Sequence, residues 1–306
     1  MLLPEWVWNK GIAASCNWRI PDEFPNAGEY VAYPRQGLIE NPDFFRDIQD
    51  GDLVWVRLEW IDEFIREVLP RVQARFVLAT GDSDNSVPSR VPSAAATLLR
   101  DARVIRWFAQ NCQVSDPRLR PLPIGIDYHT ISERPFWGEQ KTSPLDQERG
   151  LNAIAATLLP VEHRVKQVYL DFVTMGMSYG WRWLVAESLS KNPCAVFQSK
   201  RLPRSEMWRQ RGAFAFVVSP LGCGLDCHRT WEALALGHIV LVPASPLDRL
   251  FVGLPVVSVK DWNDVTPAKL DMWLDMYGPL TRENQRCTTR WWVDEMRVAA
   301  RRKCCS

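Results

Sequence analysis

The sequence has 306 residues, of which 46% are hydrophobic and 24% charged, and its 37 basic and 36 acidic side chains leave a net charge of +1. This composition is typical of a folded protein, and the balanced charge argues against a dedicated nucleic-acid-binding protein, which needs a basic surface. The length suits two domains of about 150 residues. Residues 1–11 lack the pattern of a signal peptide, and no apolar run of about 18 residues occurs, so we expect a cytoplasmic protein without a transmembrane segment.

Short apolar runs alternate with helical patterns in the first half of the chain. The first fifty residues, rich in Pro, Asn, Asp and aromatic side chains, predict short strands and loops. Beyond them, the hydrophobic periodicity predicts strands at 52–57, 75–80 and 104–109 and helices at 59–72 and 94–101. Strand, helix and strand in close succession are typical of a parallel sheet. Residues 131–163, interrupted by several Pro and Gly, predict a linker or domain boundary that includes a short helix at 151–159.

The same alternation continues through the second half. Strands are predicted at 167–172, 195–198, 213–219, 238–243 and 256–260, and helices at 181–189, 204–211, 226–236, 267–277 and 282–302. The predicted fold is therefore α/β, with two Rossmann-like, doubly wound domains that face each other across a cleft. We expect an N-terminal domain at 1–150, a C-terminal domain at 151–280, and a helix at 281–306 that packs back toward the first domain.

A glycine-containing loop follows the predicted strand 213–219. Gly222 and Gly224 would let the backbone approach a ligand closely, and a helix that begins near Asp226 would present free N–H groups and a partial positive charge. These features suit a diphosphate or a carboxylate. Tight turns between strands and helices also use glycine, so the loop alone does not decide between a binding site and a structural turn.

The first turns of that predicted helix carry three polar side chains at helical spacing. His228 and Arg229 can add charge-assisted hydrogen bonds to an anion, and Glu232, three and four residues further, can share their face. Cys223, Cys227 and His228 resemble part of a zinc motif, but no second Cys/His pair completes it, so we expect no metal and no cofactor. A dinucleotide-binding dehydrogenase is disfavoured because Cys227 stands where the third glycine of G-x-G-x-x-G would be.

The segment 213–262 resembles the nucleotide-sugar domain of exostosin-like glycosyltransferases, including their bacterial and large-DNA-virus relatives. The shared residues are 219–229, 231–234, 237, 245–248, 254–255 and 260–262. Weaker similarity extends upstream to 107–111, 122–129 and 200–204. The sequence departs from the family pattern at Cys223, where a more polar residue is expected.

The resemblance implies the GT-B fold, with an acceptor-side domain at 1–150 and a nucleotide-sugar-binding domain at 151–280. It also implies transfer of a sugar from a nucleoside-diphosphate sugar to a glycan or polysaccharide acceptor, inverting and independent of metal. In such enzymes positive side chains and a helix dipole stabilise the leaving group, a role expected here for Arg229 and for Lys200 or Arg201. Glu232 is expected at the ribose of the donor. The full set of expected donor-binding residues is Tyr179, Arg182, Lys200, Arg201, Ser219, Gly222, Gly224, Leu225, Asp226, His228, Arg229 and Glu232.

An inverting transfer also needs a base that takes the proton of the acceptor hydroxyl. Two loops offer one: Asp82 and Asp84 after strand 75–80, which we favour slightly, and Asp127 and His129 after residues 122–126. Capping of turns by the Asp residues, or a structural His, is the alternative in each case.

Two further alternatives concern the whole protein. On the same fold, the chain can be a non-catalytic nucleotide- or carbohydrate-binding protein, or a GT-B-like epimerase. The basic cluster Arg297, Arg301, Arg302 and Lys303 is either a solvated helix end or a peripheral contact with the inner face of a membrane, near a lipid-linked acceptor.

Overall fold

The computed structural model describes residues 3–20, 42–172, 180–198, 200–282 and 285–301. The chain divides into two compact units, Met1–Ile124 together with Thr288–Ser306, and Gly125–Cys287. Within the described residues, each unit contains a sheet of five parallel strands with helices packed on it. The expected class, an α/β protein with two Rossmann-like domains, is confirmed.

The strands within the described ranges are β1 (Trp18–Ile20), β2 (Leu53–Arg57), β3 (Phe76–Gly81), β4 (Val104–Ala109), β5 (Leu119–Pro121), β6 (Val165–Leu170), β7 (Ala195–Phe197), β8 (Phe214–Val218), β9 (Ile239–Pro243) and β10 (Val256–Val259). The α-helices there are α1 (Asn9–Ser15), α2 (Ile61–Glu63), α3 (Pro92–Arg100), α4 (His129–Glu133), α5 (Pro144–Ala155), α6 (Gly180–Leu189), α7 (Arg204–Arg211), α8 (His228–Ala235), α9 (Pro267–Tyr277) and α10 (Thr289–Arg301).

The strands of the first unit lie in the order in which they occur along the chain, β1-β2-β3-β4-β5. Alternate side chains face opposite sides of the sheet, so Val54 and Val56 pack with α3 and the helical turns after β2, while Trp55 is buried on the other side. Helix α10 contacts β2, β3, β4 and α1. The last described helix of the chain is thus part of the first unit.

The second unit has the strand order β10-β9-β8-β6-β7. The order reverses between β6 and β8, because β7 lies on one side of β6 and all later strands lie on the other. In doubly wound sheets of this order, ligands bind beside the carboxyl ends of the two strands at the reversal. Asp171 follows β6 and Ser219 follows β8, so these two positions mark the expected ligand edge.

Several local predictions are corrected. Helix α1 lies where strands and loops were expected, because Ile12 and Ala13 are completely buried and packing outweighs a weakly helical sequence. The segment expected as one helix at 59–72 is a short α-helix, α2, followed by a π-helical turn at Phe64–Val68 and a 3₁₀ turn. Pro70 in that last turn has no N–H to continue an α-helix.

Residues 131–163 are not a linker. They contain α4 and α5, and the Ser143 hydroxyl accepts a hydrogen bond from the Asp146 N–H while Pro144 occupies the first turn of α5. Serine followed by proline here is therefore a helix start rather than a chain break. Because α5 contacts α7 and α8, residues 125–150, which the sequence assigns to the first domain, lie in the second unit.

None of the helices in the described ranges combines the length and the apolar character that crossing a bilayer requires.

Candidate functional site

The glycine loop lies between the end of β8 at Val218 and the start of α8 at His228. The Gly222 N–H donates to the Gly224 carbonyl over 3.1 Å, which folds the loop back on itself. The Arg182 Nε donates to the Leu221 carbonyl over 3.1 Å, and a Cβ added to Gly222 would lie 3.4 Å from the Arg182 Nη2. The Arg182 guanidinium group thus lies against the loop backbone, at a distance that would just accommodate a Cβ at position 222.

A second guanidinium group is fixed beside the loop by a buried carboxylate. The Arg229 Nε donates to Asp171 Oδ1 over 2.9 Å, and the Arg211 Nε donates to Asp171 Oδ2 over 2.8 Å. The Asp171 and Arg211 side chains are fully buried, whereas that of Arg229 is 14% exposed. Burial by itself would raise the pKa of Asp171, but the positive charges of Arg211 and Arg229 outweigh it and hold the pKa below its ordinary value. Arg229 is thus anchored across the strand reversal.

The Glu232 carboxylate already has several buried partners. The Arg204 Nη2 and Nε donate to its Oε1 over 2.7 and 3.2 Å, and the Trp208 Nε1 donates to its Oε2 over 3.1 Å. The Arg211 Nη1 lies 3.7 Å from the same Oε2. Burial would raise the pKa of Glu232, but Arg204 and Arg211 lower it below its ordinary value. A ribose bound by Glu232 would have to share the carboxylate with Arg204 and Trp208, so the expected role of Glu232 at the donor remains a prediction.

Sequence analysis missed Asp171, Arg204, Trp208 and Arg211. The last three are buried in the structure and occupy one face of α7, at spacings of four and three residues. That helical spacing was visible in the sequence, but two arginines on a strongly polar helix indicate a solvated surface unless their acidic partners are known.

Two other predicted donor residues hold the loop in place. The Asp226 side chain accepts hydrogen bonds from the Trp231 Nε1 over 3.0 Å and from the Cys227 N–H over 2.9 Å, and it is buried. The Ser219 hydroxyl accepts from the Thr230 hydroxyl over 2.9 Å. These contacts tie both ends of the loop to α8, while Leu225 is half-buried between them.

Asp127, His129 and His228 form a polar cluster in the same unit. The Asp127 carboxylate accepts from the Thr130 N–H and hydroxyl over 2.9 and 2.8 Å, and its Oδ1 lies 3.1 Å from the His129 Nδ1. The His228 Nδ1 lies 2.7 Å from the Gly125 carbonyl, and the rings of His129 and His228 are 5.6 Å apart.

The electrostatics of the cluster favour an ionised carboxylate. Burial would raise the pKa of Asp127, but His129, His228 and Arg204 as cations, together with the Thr130 N–H, hold it well below the ordinary range. One nitrogen of each ring and one carboxylate oxygen lie within 4.8 Å of one another, which is close enough for these residues to hold a metal ion.

The other base candidates lie in the first unit. Asp82 follows β3, and its Oδ2 lies 2.6 Å from the Nζ of the buried Lys10 and 3.5 Å from the Arg57 Nε. Asp84 is exposed. The structure thus gives Asp82 an ion-pairing role, and it places Asp127 and His129 in the unit that carries the glycine loop.

The remaining predicted residues are either exposed or lie outside the described part of the chain. Lys200 and Arg201 are exposed ahead of α7, and neither forms an ion pair with the part of the chain that is described. Tyr179 lies outside the described residues, as do Arg302 and Lys303 of the C-terminal basic cluster. Arg297 of that cluster pairs with Asp294 over 3.3 Å on the exposed side of α10.

Comparisons with known proteins give only distant structural matches. No family model matches the sequence, and no curated protein matches it. Among solved structures, an α,α-trehalose-phosphate synthase (UDP-forming) from Burkholderia xenovorans, in complex with glucose-6-phosphate, is 12% identical, with 84% of this chain and 76% of that chain covered and a TM-score of 0.41. The corresponding synthase from Burkholderia vietnamiensis is 11% identical, with 83% and 72% covered and a TM-score of 0.43.

A third match is an E. coli trehalose-6-phosphate structure bound with UDP-2-fluoro glucose, at 12% identity, with 84% and 73% covered and a TM-score of 0.39. Because these identities and TM-scores are low, the function of this chain has to be inferred from its own residues.

Proposed function

We propose that the chain is a glycosyltransferase that moves a sugar from a nucleoside-diphosphate sugar to a glycan or polysaccharide acceptor, with inversion and without a metal cofactor. The observation that carries the proposal is the arrangement at the strand reversal of the second unit. There, the glycine loop leads into α8 while Arg182 and Arg229 lie beside it. The residues of the exostosin-like resemblance, 219–262, belong to this unit.

This arrangement matches the needs of a diphosphate leaving group. When the bond between the sugar and the diphosphate breaks, the electron pair stays on the diphosphate oxygen, and its negative charge grows. The N-terminus of α8 and the guanidinium group of Arg229 provide positive charge in fixed positions, so little reorganisation is needed during the reaction. Asp171 and Arg211 position Arg229, and the exposed Lys200 and Arg201 supply further charge near the donor.

In the proposed mechanism His129 is the base and Asp127 orients it. The 3.1 Å separation between Asp127 Oδ1 and His129 Nδ1 allows Nδ1–H to donate to the carboxylate, which fixes the ring orientation and stabilises the protonated ring. His129 takes the proton of the acceptor hydroxyl while that oxygen forms the new bond to the sugar. Asp82 is less suited to this task because its carboxylate is paired with Lys10 and Arg57.

Donor binding is tested by thermal shift with UDP-, GDP-, ADP-, TDP- and CMP-sugars and their free nucleotides, without added metal. A donor at 100 times its Kd stabilises the folded chain by about 2.7 kcal/mol, equivalent to about 5–10 °C in Tm. We expect one nucleotide class to shift wild type and the Arg209→Ala control, which removes an exposed guanidinium, but not Arg229→Ala. No shift with any donor in the folded wild type would contradict the proposal.

Catalysis is tested separately with the donor so identified. We expect His129→Gln to keep the donor-induced shift but to lower kcat by about 10²–10⁴-fold, the usual contribution of a general base. His163→Gln, at an exposed histidine outside the site, serves as the control and should leave kcat unchanged. Donor binding without sugar transfer in wild type would instead favour a non-catalytic binding protein.

A further inference from the structure

The Asp127, His129 and His228 cluster adds a second imidazole to the Asp–His pair that the proposed proton transfer uses. We propose that these three residues form a binding site for a divalent transition-metal ion such as Zn²⁺ or Co²⁺. One nitrogen from each imidazole and one oxygen from the carboxylate lie within 4.8 Å of one another. Asp127 lies two residues before α4, His129 begins α4 and His228 begins α8, so residues far apart in sequence converge on one point.

The chemistry of the three ligating side chains determines which class of metal ion the site would bind. Imidazole nitrogen is a ligand for zinc, cobalt, nickel, copper and iron, whereas Mg²⁺ and Ca²⁺ take oxygen ligands almost exclusively. Two imidazoles and one carboxylate are a usual set of three protein ligands for zinc, and they leave a fourth position for water or another oxygen ligand. We therefore expect an exchangeable ion rather than a closed structural site.

Contacts from outside the cluster limit the orientations of two of the three ligands. The His228 Nδ1 is 2.7 Å from the Gly125 carbonyl, so Nδ1–H donates to it and the opposite nitrogen keeps its lone pair for a ligand. Hydrogen bonds from a ligating histidine to a backbone carbonyl are a regular feature of metal sites. The Asp127 carboxylate is held by two hydrogen bonds from Thr130, which limits its rotation.

The distances require only a modest adjustment. Ligand atoms around a four-coordinate zinc ion with bonds of about 2.0–2.1 Å are about 3.3 Å apart. The ligand atoms of the cluster would thus have to move toward one another by at most about 1.5 Å. Side-chain rotation can provide this change, since His129 and His228 are only half-buried. A bound ion would occupy the side chain that the proposed transfer uses as its base, so we expect added Zn²⁺ to slow that transfer. This last expectation rests on the proposed function, whereas ion binding does not.

The test is a titration of the full chain, treated with EDTA and desalted, without donor or acceptor. Co²⁺ is followed by its visible absorption, and Zn²⁺ by competition with a chromophoric chelator. We expect one ion per chain, and at least about 100-fold weaker binding in His129→Ala, His228→Ala and Asp127→Asn. The matched control is His163→Ala, which removes an exposed histidine outside the cluster and should leave the affinity unchanged within about twofold.

A second control addresses the thiols near the loop. The double variant Cys223→Ser, Cys227→Ser should bind Co²⁺ as wild type does, because neither thiol belongs to the proposed site. The far-ultraviolet circular dichroism of every variant is compared with wild type, and Asp127→Asn retains an oxygen that can accept from Thr130 if an alanine variant unfolds.

The proposal is overturned by three results: no binding of Co²⁺ or Zn²⁺ to wild type, wild-type affinity in folded His129→Ala and His228→Ala, or loss of the ion in the cysteine variant. Because the titration contains no donor, none of these results depends on whether the chain transfers sugar.

Discussion

The buried ion pair between Glu232 and Arg204 predicts a large loss of stability in Glu232→Gln. The substitution keeps the shape of the side chain but removes the negative charge that faces Arg204 and Arg211. The side chains of all three residues are at most 8% exposed, so water cannot replace the lost partner. Removing one member of a buried ion pair costs about 3–5 kcal/mol, because the remaining charge stays buried and uncompensated.

The same helix α7 provides a matched control. Glu206 pairs with Arg209 over 3.5 Å, and both side chains are about half exposed. Exposed pairs at helical spacing contribute about 0.3–0.5 kcal/mol, so Glu206→Gln should cost no more than that. Combining Glu232→Gln with Arg204→Met should cost about 0.5–3 kcal/mol less than the two single changes added together, since the two side chains are in contact.

Urea unfolding measures these differences. With a slope of about 2–3 kcal/mol/M, a loss of 3–5 kcal/mol lowers the midpoint by about 1–2.5 M. A midpoint for Glu232→Gln equal to that of Glu206→Gln would refute the stabilising role of the pair. If such a variant were stable but no longer bound the donor, the ribose role implied by the family resemblance would be favoured instead.

Two further predictions concern acid stability and the C-terminal helix. Because folding lowers the pKa of Asp171, its ionised carboxylate adds to the free energy of unfolding in full above its unfolded pKa of about 3.9, and this stabilisation is lost as the pH falls through the lower folded value. Asp171→Asn should therefore be less stable than wild type at pH 7. Its urea midpoint should also fall less steeply than that of wild type below about pH 4. Met296 on α10 is fully buried, so Met296→Ala should lower the free energy of unfolding by about 2–5 kcal/mol. Val298 on the same helix is 42% exposed, so Val298→Ala should change that free energy by less than about 0.5 kcal/mol. Equal urea midpoints for the two variants would show that α10 does not stabilise the first unit.

The elements predicted with correct bounds share a strong local signal. Strand β4, helix α7 and helix α9 begin and end at the predicted residues. Strand β4 is a short apolar run, and Pro203 directly precedes α7. Thr266 and Pro267 mark the start of α9, where the threonine hydroxyl accepts from the Lys269 N–H. Such signals act within a few residues and are therefore readable without the fold.

Failures occurred where distant residues determine the local structure. Helix α1 contains Gly11 and no acidic first turn, so its sequence predicts no stable helix, and burial of Ile12 is what stabilises it. The pairing of Asp171 with Arg229 joins residues 58 positions apart, and the contact between His228 and Gly125 spans 103. No periodicity encodes such pairs, because they depend on which strand ends become neighbours in the sheet.

The buried charges of the second unit hold Arg229 in place at the strand reversal. The described network joins three guanidinium groups, those of Arg204, Arg211 and Arg229, to two carboxylates, those of Asp171 and Glu232. Asp127 adds a third buried carboxylate, since the charge of Arg204 helps to lower its pKa, and these six side chains together carry no net charge. Arg229 is the partly exposed member of the network, 14% accessible, and it belongs to the first turn of α8. The same ion pairs thus stabilise the unit and fix the guanidinium group that we propose for the diphosphate of the donor.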